Sequence, residues 1–171
     1  IVYYGNTTAC GTSTAIAVPC MFSPNGRQNF TIGSEEYTEN LLDILQKTGY
    51  KVLWRENNTG CKNNCNRVEI EDFCTQKSCF DEIMLTNFST KVKQTDKDTL
   101  VVMHQTGSHG PAYFEHYPKE AARWSPVCQT ENFNRCSAAE LINVYDNTIY
   151  YTSLFLRKVI DELTSLSDEY N

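Results

Sequence analysis

No run of apolar residues among these 171 approaches the ~20 that a membrane-spanning helix needs, and Ile1 does not open a basic-then-apolar signal peptide. Any export signal or membrane anchor is therefore expected outside the chain. Basic residues are also scarce: 15 Lys and Arg face 21 Asp and Glu, for a net charge of −6. With no basic stripe to neutralise phosphates, a role in gripping nucleic acid is excluded. Internal repeats, low-complexity runs and linkers are missing too, so one domain is expected.

What the chain does have is cysteine, eight in all. At this length a domain can bury a sizeable core, so small size alone does not call for them. They fall into local pairs, Cys10 with Cys20, Cys61 with Cys65, Cys74 with Cys79 and Cys128 with Cys136, each closing a short polar or turn-rich loop. That reads as a disulfide framework made in an oxidising compartment. Eight cysteines allow about a hundred pairings, so the local scheme is an inference from proximity. The alternative is a structural zinc site from Cys61, Cys65, Cys74 and Cys79, although no pair has the two-residue gap usual there. Sequons at Asn6, Asn29, Asn57 and Asn87 would suit a glycosylated secretory protein, but an Asn- and Thr-rich chain also produces them by chance.

Strand-like and helix-like segments alternate, which predicts an α/β fold. Ile1–Tyr4 reads as a strand, followed by a hydroxyl-rich loop and an apolar, helix-like stretch. Ser34 is placed to cap a helix that carries Glu35 and Glu36 in its first turn, continues through Leu41, Leu42 and Leu45, and ends at Gly49. Tyr50–Trp54 reads as the next strand, giving way to a polar loop from Arg55. Residues 61–79 have little periodicity, and residues 80–92 read as a helix. Thr99–Met103 is a near-continuous apolar run, the pattern of a strand in a parallel sheet covered on both faces. The last helix opens on Ser137 and Glu140, a capping-box pair, with Leu141, Tyr145, Thr148, Thr152, Phe155, Val159 and Leu163 along one side. Asp146 and Asn147 are expected on its solvated face.

Two segments carry the chemistry. In Cys10-Gly11-Thr12-Ser13-Thr14, Gly11 lets the backbone bend closely, and a hydroxyl residue stands where a helix begins. A helix start offers unpaired N–H groups and a partial positive charge, a seat for phosphate. A hydroxyl held there can be a nucleophile if a base or metal activates it; otherwise it is only an N-cap. The second segment, His104-Gln105-Thr106-Gly107-Ser108-His109-Gly110-Pro111, follows the apolar strand, and ligands of open α/β sheets collect at such strand ends. His109 is the candidate for metal or phosphate binding. His116 is expected at the surface.

These segments occur together with Val18-Pro19-Cys20-Met21-Phe22-Ser23, Trp54-Arg55-Glu56-Asn57-Asn58, Ser125-Pro126-Val127-Cys128 and Asn143-Val144-Tyr145-Asp146-Asn147-Thr148. In that order, from end to end, the chain closely resembles the periplasmic catalytic domain of bacterial lipid A phosphoethanolamine transferases, the group that includes the mobile colistin-resistance enzymes. The resemblance implies an alkaline-phosphatase or sulfatase-like α/β fold, a layered sheet with helices on both faces, of which this chain is an incomplete portion. It implies that Thr14 is a zinc-bound nucleophile that takes phosphoethanolamine from phosphatidylethanolamine as a covalent intermediate and passes it to a lipid A phosphate. Thr12 and Ser13 then line the phosphate seat, Asn58 and Lys62 contact the donor head group, and His109 lies near one or two zinc ions. The cysteine pairs match the family's disulfides, which places the domain at the periplasmic face of the inner membrane, held there by a transmembrane domain outside these residues.

The family also carries a metal-binding glutamate before the nucleophile loop and an Asp-His pair after the long helix. Neither has a counterpart here, so residues 1–171 are expected to be the middle portion of the catalytic domain and inactive by themselves. Thr14 alone cannot hold a catalytic zinc, which takes three or more protein ligands. The competing reading is a secreted, disulfide-stabilised binding module without enzymatic activity. A third keeps the donor but transfers to a core sugar or a protein.

Overall fold

A computed structural model describes residues 4–74 and 79–167. The strand expected at Ile1–Tyr4 falls almost wholly outside them. Helix α1, Thr14–Phe22, forms where the hydroxyl-rich loop meets Ala15-Ile16-Ala17-Val18, and a single turn, α2, follows at Gly26–Asn29. The helix expected from Ser34 to Gly49 is divided. Ser34–Glu36 is a 3-10 turn, and helix α3 runs only over Leu41–Lys47. Asn40 decides the break. Its side chain accepts from the N–H groups of Leu42 and Asp43, Asp43 closes the box onto the Asn40 N–H, and Asn40 Nδ2 donates to the Asn64 carbonyl at 2.8 Å. A cap with both reciprocal bonds and a long-range anchor outweighs the Ser34 signal.

Strands β1 (Lys51–Glu56), β2 (Glu69–Asp72) and β3 (Thr99–His104) form a sheet in the order β2-β1-β3. β1 and β3 are parallel: the Lys51 N–H donates to the Asp98 carbonyl at 2.8 Å, and the Asn57 N–H donates to the His104 carbonyl at 3.4 Å. β2 lay hidden in the cysteine-rich segment because its residues are mostly exposed and charged. β1 extends to Glu56, two residues into the expected polar loop. The helix expected over 80–92 is a 3-10 turn, Asp81–Leu85, followed by α4, Phe88–Lys93, because Asn87 adopts a left-handed conformation (φ 55°) that a continuous helix does not allow. Helix α5 spans Ala138–Leu166 with the expected Ser137–Glu140 capping box.

The described residues divide into two units, 4–54, 59–71 and 97–102 in the first, and 55–58, 72–74, 79–96 and 103–167 in the second. The core of the first unit gathers Val52 and Trp54, two apart on β1, with Leu42 and Leu45 of α3, Val18 and Phe22 of α1, and Leu100 and Val102 of β3. Each such side chain fully removed from water contributes about 1.5–3 kcal/mol. In the second unit Val144 and Tyr151 of α5 pack with Tyr117, Ala121 and Cys128. Asn147 lies on this buried face and is fully inaccessible, against its expected solvated position. Its Oδ1 accepts from the N–H groups of Arg123 (2.7 Å) and Trp124 (3.0 Å), and its Nδ2 donates to the Trp124 carbonyl at 3.0 Å.

Disulfides join Cys10 to Cys20, Cys61 to Cys65, Cys74 to Cys79 and Cys128 to Cys136. This removes the zinc alternative, since Cys61, Cys65, Cys74 and Cys79 are all bridged. Among the described residues no helix is long and apolar enough to cross a membrane.

Candidate active site

In the first unit the site residues are Thr12, Ser13, Thr14 and Lys62. Ser13 is the N-cap of α1, with extended backbone (φ −112°, ψ 148°), and Thr14 is its first helical residue. The Ser13 side chain makes no capping hydrogen bond, so the first-turn N–H groups are not closed off by it. Thr14 is half-buried, whereas Thr12 and Ser13 are exposed. The Cys10–Cys20 bridge ties the loop to the body of α1. Gly11 is required by space: a Cβ there would lie 2.9 Å from Ile16 Cγ2. Lys62 sits in a left-handed turn (φ 52°), and its Nζ donates to the Thr59 carbonyl and, at 3.0 Å, to Thr59 Oγ1.

In the second unit Asn58 and His109 belong to one hydrogen-bonded cluster at the carboxyl ends of β1 and β3. Asn58 Nδ2 donates to the Gln105 carbonyl at 2.9 Å and lies 3.5 Å from His104 Nε2, while His104 Nδ1 is 3.2 Å from Glu56 Oε2. Next to it Asn57, which is buried, spans further. Its Oδ1 accepts from the Thr106 N–H at 2.9 Å, its carbonyl accepts from the Thr106 hydroxyl at 2.7 Å, and its Nδ2 donates to Asp81 Oδ1 at 2.9 Å. Asp81 Oδ1 also accepts from the Gly107 N–H at 3.3 Å. Gly107 has a left-handed backbone (φ 52°) that favours glycine; a Cβ there would meet only the movable Nε2 end of Gln105, at 2.8 Å. Ser108 bonds the Thr148 hydroxyl of α5 at 2.8 Å; because Thr148 donates to the Tyr145 carbonyl, Ser108 is the donor here.

His109 caps this turn and is exposed. Its N–H donates to the Thr106 carbonyl at 3.2 Å, and its Nδ1 is 2.8 Å from the Gly110 carbonyl. A carbonyl only accepts, so that contact puts the proton on Nδ1 and leaves the Nε2 lone pair for a ligand. His116 is not the surface residue expected from sequence. It is half-buried, and burial, aided by the charge of His109, holds its pKa below the usual histidine value against the opposing pull of Asp81 and Glu115. Burial pushes the Asp81 carboxyl up, opposed by the donors on Asn57, Gly107 and Thr106 and by His116. Asn57, Asp81 and His116 were missed as site residues. Asn57 read as part of a sequon, Asp81 drew no comment within the segment read as a helix over 80–92, and nothing local marks them as buried.

Thr14 and His109 are the two candidate zinc ligands. Among the described residues no group of three or more His, Cys, Asp or Glu side chains is disposed to hold a metal. Two donors are fewer than a catalytic zinc takes, so these residues do not by themselves fit a complete zinc site, and no chemical step below is routed through one.

The sulfatase family matches residues 1–171. The chain is 37% identical over 178 aligned positions to phosphoethanolamine transferase EptA of Salmonella typhimurium, covering 99% of this chain and 32% of that protein. It is 36% identical to phosphatidylethanolamine transferase Mcr-1 of Escherichia coli, covering 100% of this chain and 34% of that protein. Among solved structures, the soluble domain of lipooligosaccharide phosphoethanolamine transferase A from Neisseria meningitidis superposes with a TM-score of 0.85 at 41% identity, over 91% of this chain and 49% of that one. The C-terminal periplasmic domain of phosphoethanolamine transferase EptC from Campylobacter jejuni gives 0.86 at 38% identity, over 95% and 52%. The α/β, sulfatase-like fold expected from the sequence is thus the fold observed. The chain spans about a third of the length of the curated relatives it matches.

Proposed function

Because the chain belongs to the sulfatase family, we propose that it carries the nucleophile and part of the phosphate seat of a lipid A phosphoethanolamine transferase, and that the longer protein confers polymyxin and colistin resistance. The observation that carries this reading is Thr14 at the first position of α1, its neighbouring cap hydroxyl unengaged and its loop bridged to the helix by Cys10–Cys20. The names of the relatives at 36–37% identity support it.

The reaction is two displacements at phosphorus. Thr14 Oγ attacks the phosphorus of phosphatidylethanolamine; the Oγ–P bond forms, the bond from phosphorus to the diacylglycerol oxygen breaks, and that oxygen takes up a proton equivalent to the one Thr14 gives up. An oxygen of a lipid A phosphate then attacks the same phosphorus and releases Thr14. Thr12, Ser13 and the first-turn N–H groups of α1 receive the negative charge that develops on the phosphoryl oxygens. Asn58, Lys62 and His109 contact the donor's phosphoethanolamine head group. Zinc, in one or two copies, is proposed as the cofactor of the longer protein, with Thr14 and His109 as this chain's contribution to its ligands. The site faces the periplasm and is held at the inner membrane by a transmembrane domain outside these residues, and residues 1–171 alone are inactive.

Peptide mass mapping without reduction tests the proposal on the full-length protein after incubation with phosphatidylethanolamine and zinc. A phosphoethanolamine adduct on the Thr14 peptide, absent in Thr14→Ala and after chelation, is expected. An unmodified Thr14 peptide in a folded, zinc-loaded protein would refute the covalent mechanism and favour the non-enzymatic binding module.

A further inference from the structure

We infer that Asp81 is a positioning residue for His109, fixing the backbone of the turn from Thr106 to His109 from its buried side. The inference rests on the transferase reading only in assigning His109 to the donor or metal.

Asp81 is buried, only 2% exposed, and its Oδ1 gathers donors from Asn57 Nδ2 and the Gly107 N–H. Asn57 Nδ2 also donates to the Cys79 carbonyl at 3.1 Å. Both of these partners are acceptors, so they require the NH2 end of the Asn57 amide, which turns its oxygen toward the Thr106 N–H. Asp81 therefore orients Asn57, Asn57 holds Thr106, and the Thr106 carbonyl receives the His109 N–H at 3.2 Å. Asp81 grips Gly107 directly. Thus Thr106, Gly107 and His109 are each held at the backbone, and Ser108 is held through its hydroxyl by Thr148.

A carboxylate withdrawn from water is costly, and Asp81 Oδ2 has no hydrogen-bond partner among the described residues. An apolar side chain of the same shape would be cheaper to bury but could not fix the turn. The exposed His109 ring is held through its Nδ1 contact with the Gly110 carbonyl, so its position depends on the backbone of the turn. A displacement of about 1 Å in such a group can cost on the order of a hundredfold in rate.

The test uses the full-length transferase with Asp81→Ala, Asp81→Asn and Asn57→Ala, reading amide exchange of the 105–110 peptide together with kcat and the donor KM. Asp81→Ala is expected to speed exchange of that peptide about tenfold or more and to lower kcat about ten- to a hundredfold, with KM changed by less than about threefold. Asp81→Asn keeps the acceptor oxygen and should stay within about threefold of wild type on each readout. Wild-type exchange in Asp81→Ala, faster exchange with unchanged kcat, or an Asp81→Asn as impaired as Asp81→Ala would each overturn the inference. If Asp81→Ala does not fold, Asn57→Ala decides: local acceleration confined to 105–110 supports it, and unchanged exchange overturns it. Full activity in Thr14→Ala would instead overturn the transferase reading, and the exchange result would still stand.

Discussion

Gly11 lies so close to Ile16 that a Cβ on the glycine would come within 2.9 Å of Ile16 Cγ2 and 3.2 Å of its Cβ. Ile16 is in the first turn of α1, two residues after Thr14, so the contact sets how the loop that carries the proposed nucleophile meets its helix. Gly11→Ala must push loop and helix apart by a few tenths of an ångström or more. The expected outcome is a transfer rate reduced about tenfold or more with a modest loss of stability, of about 1–3 kcal/mol from overpacking. Steady-state kinetics and a thermal melt on the full-length protein check both.

The Cys10–Cys20 bridge acts on the same loop. Replacing both cysteines by serine frees Cys10 from α1 and adds chain entropy to the unfolded state, which is expected to cost about 2–3 kcal/mol. If the bridge also positions Thr14, activity per folded molecule should fall, and adding dithiothreitol to the wild type should reproduce the loss. Retained activity in the double variant, measured well below its melting point, would limit the bridge to stability.

Arg67 reads both oxygens of Asp43, with Nε to Oδ1 at 2.8 Å and Nη2 to Oδ2 at 2.6 Å. Burial by itself would raise the Asp43 pKa. The Arg67 hydrogen bonds, the Asn40 N–H and the charges of Arg67 and Lys47 overcome it and hold the carboxyl below its ordinary value of 3.8. A depressed folded-state pKa gives stability that is fully present above the unfolded value and lost as pH falls through the folded one. Asp43→Asn should therefore be less stable than wild type at pH 7, and the gap should close below about pH 4. Urea melts across that window measure it; a gap independent of pH would remove the ion pair as its cause.

What could be read along the chain was what depends on neighbours in sequence. A helix start within Thr12–Thr14, the apolar run of β3, the Ser137–Glu140 box and the four cysteine pairs are each marked by residue types no more than 10 positions apart, and all are present. Asn40 displaced Ser34 as a cap because it is also anchored to Asn64, far along the chain. β2 carries no apolar alternation, being paired through its backbone at the sheet edge. At the candidate site, Thr14 and His109 are proposed from residue type and position, whereas Asp81, Asn57 and His116 come into view only because packing withdraws them from water around one turn. A buried aspartate and a surface one are the same letter.

Asn147 is the sharpest case of that kind, and it yields the last prediction. Its amide satisfies the N–H groups of Arg123 and Trp124, the Trp124 carbonyl and, at 3.3 Å, Tyr117 Oη. The segment around Trp124 thus has its backbone polar groups met by one side chain of α5. Asn147→Leu fits the volume but strands two backbone donors and a carbonyl in a partly buried place, at about 1–3 kcal/mol each where water cannot reach. Asn147→Asp keeps an acceptor for the two N–H groups but faces the Trp124 carbonyl with negative charge. Asn147→Leu is expected to lose several kcal/mol in denaturant melts, on the order of 3–6. Asn147→Asp should fall between it and wild type at pH 7 and recover as the carboxyl protonates, when it can again donate to the Trp124 carbonyl. If Leu and Asp instead cost nothing, the buried amide would not be what holds residues 123–124 to α5.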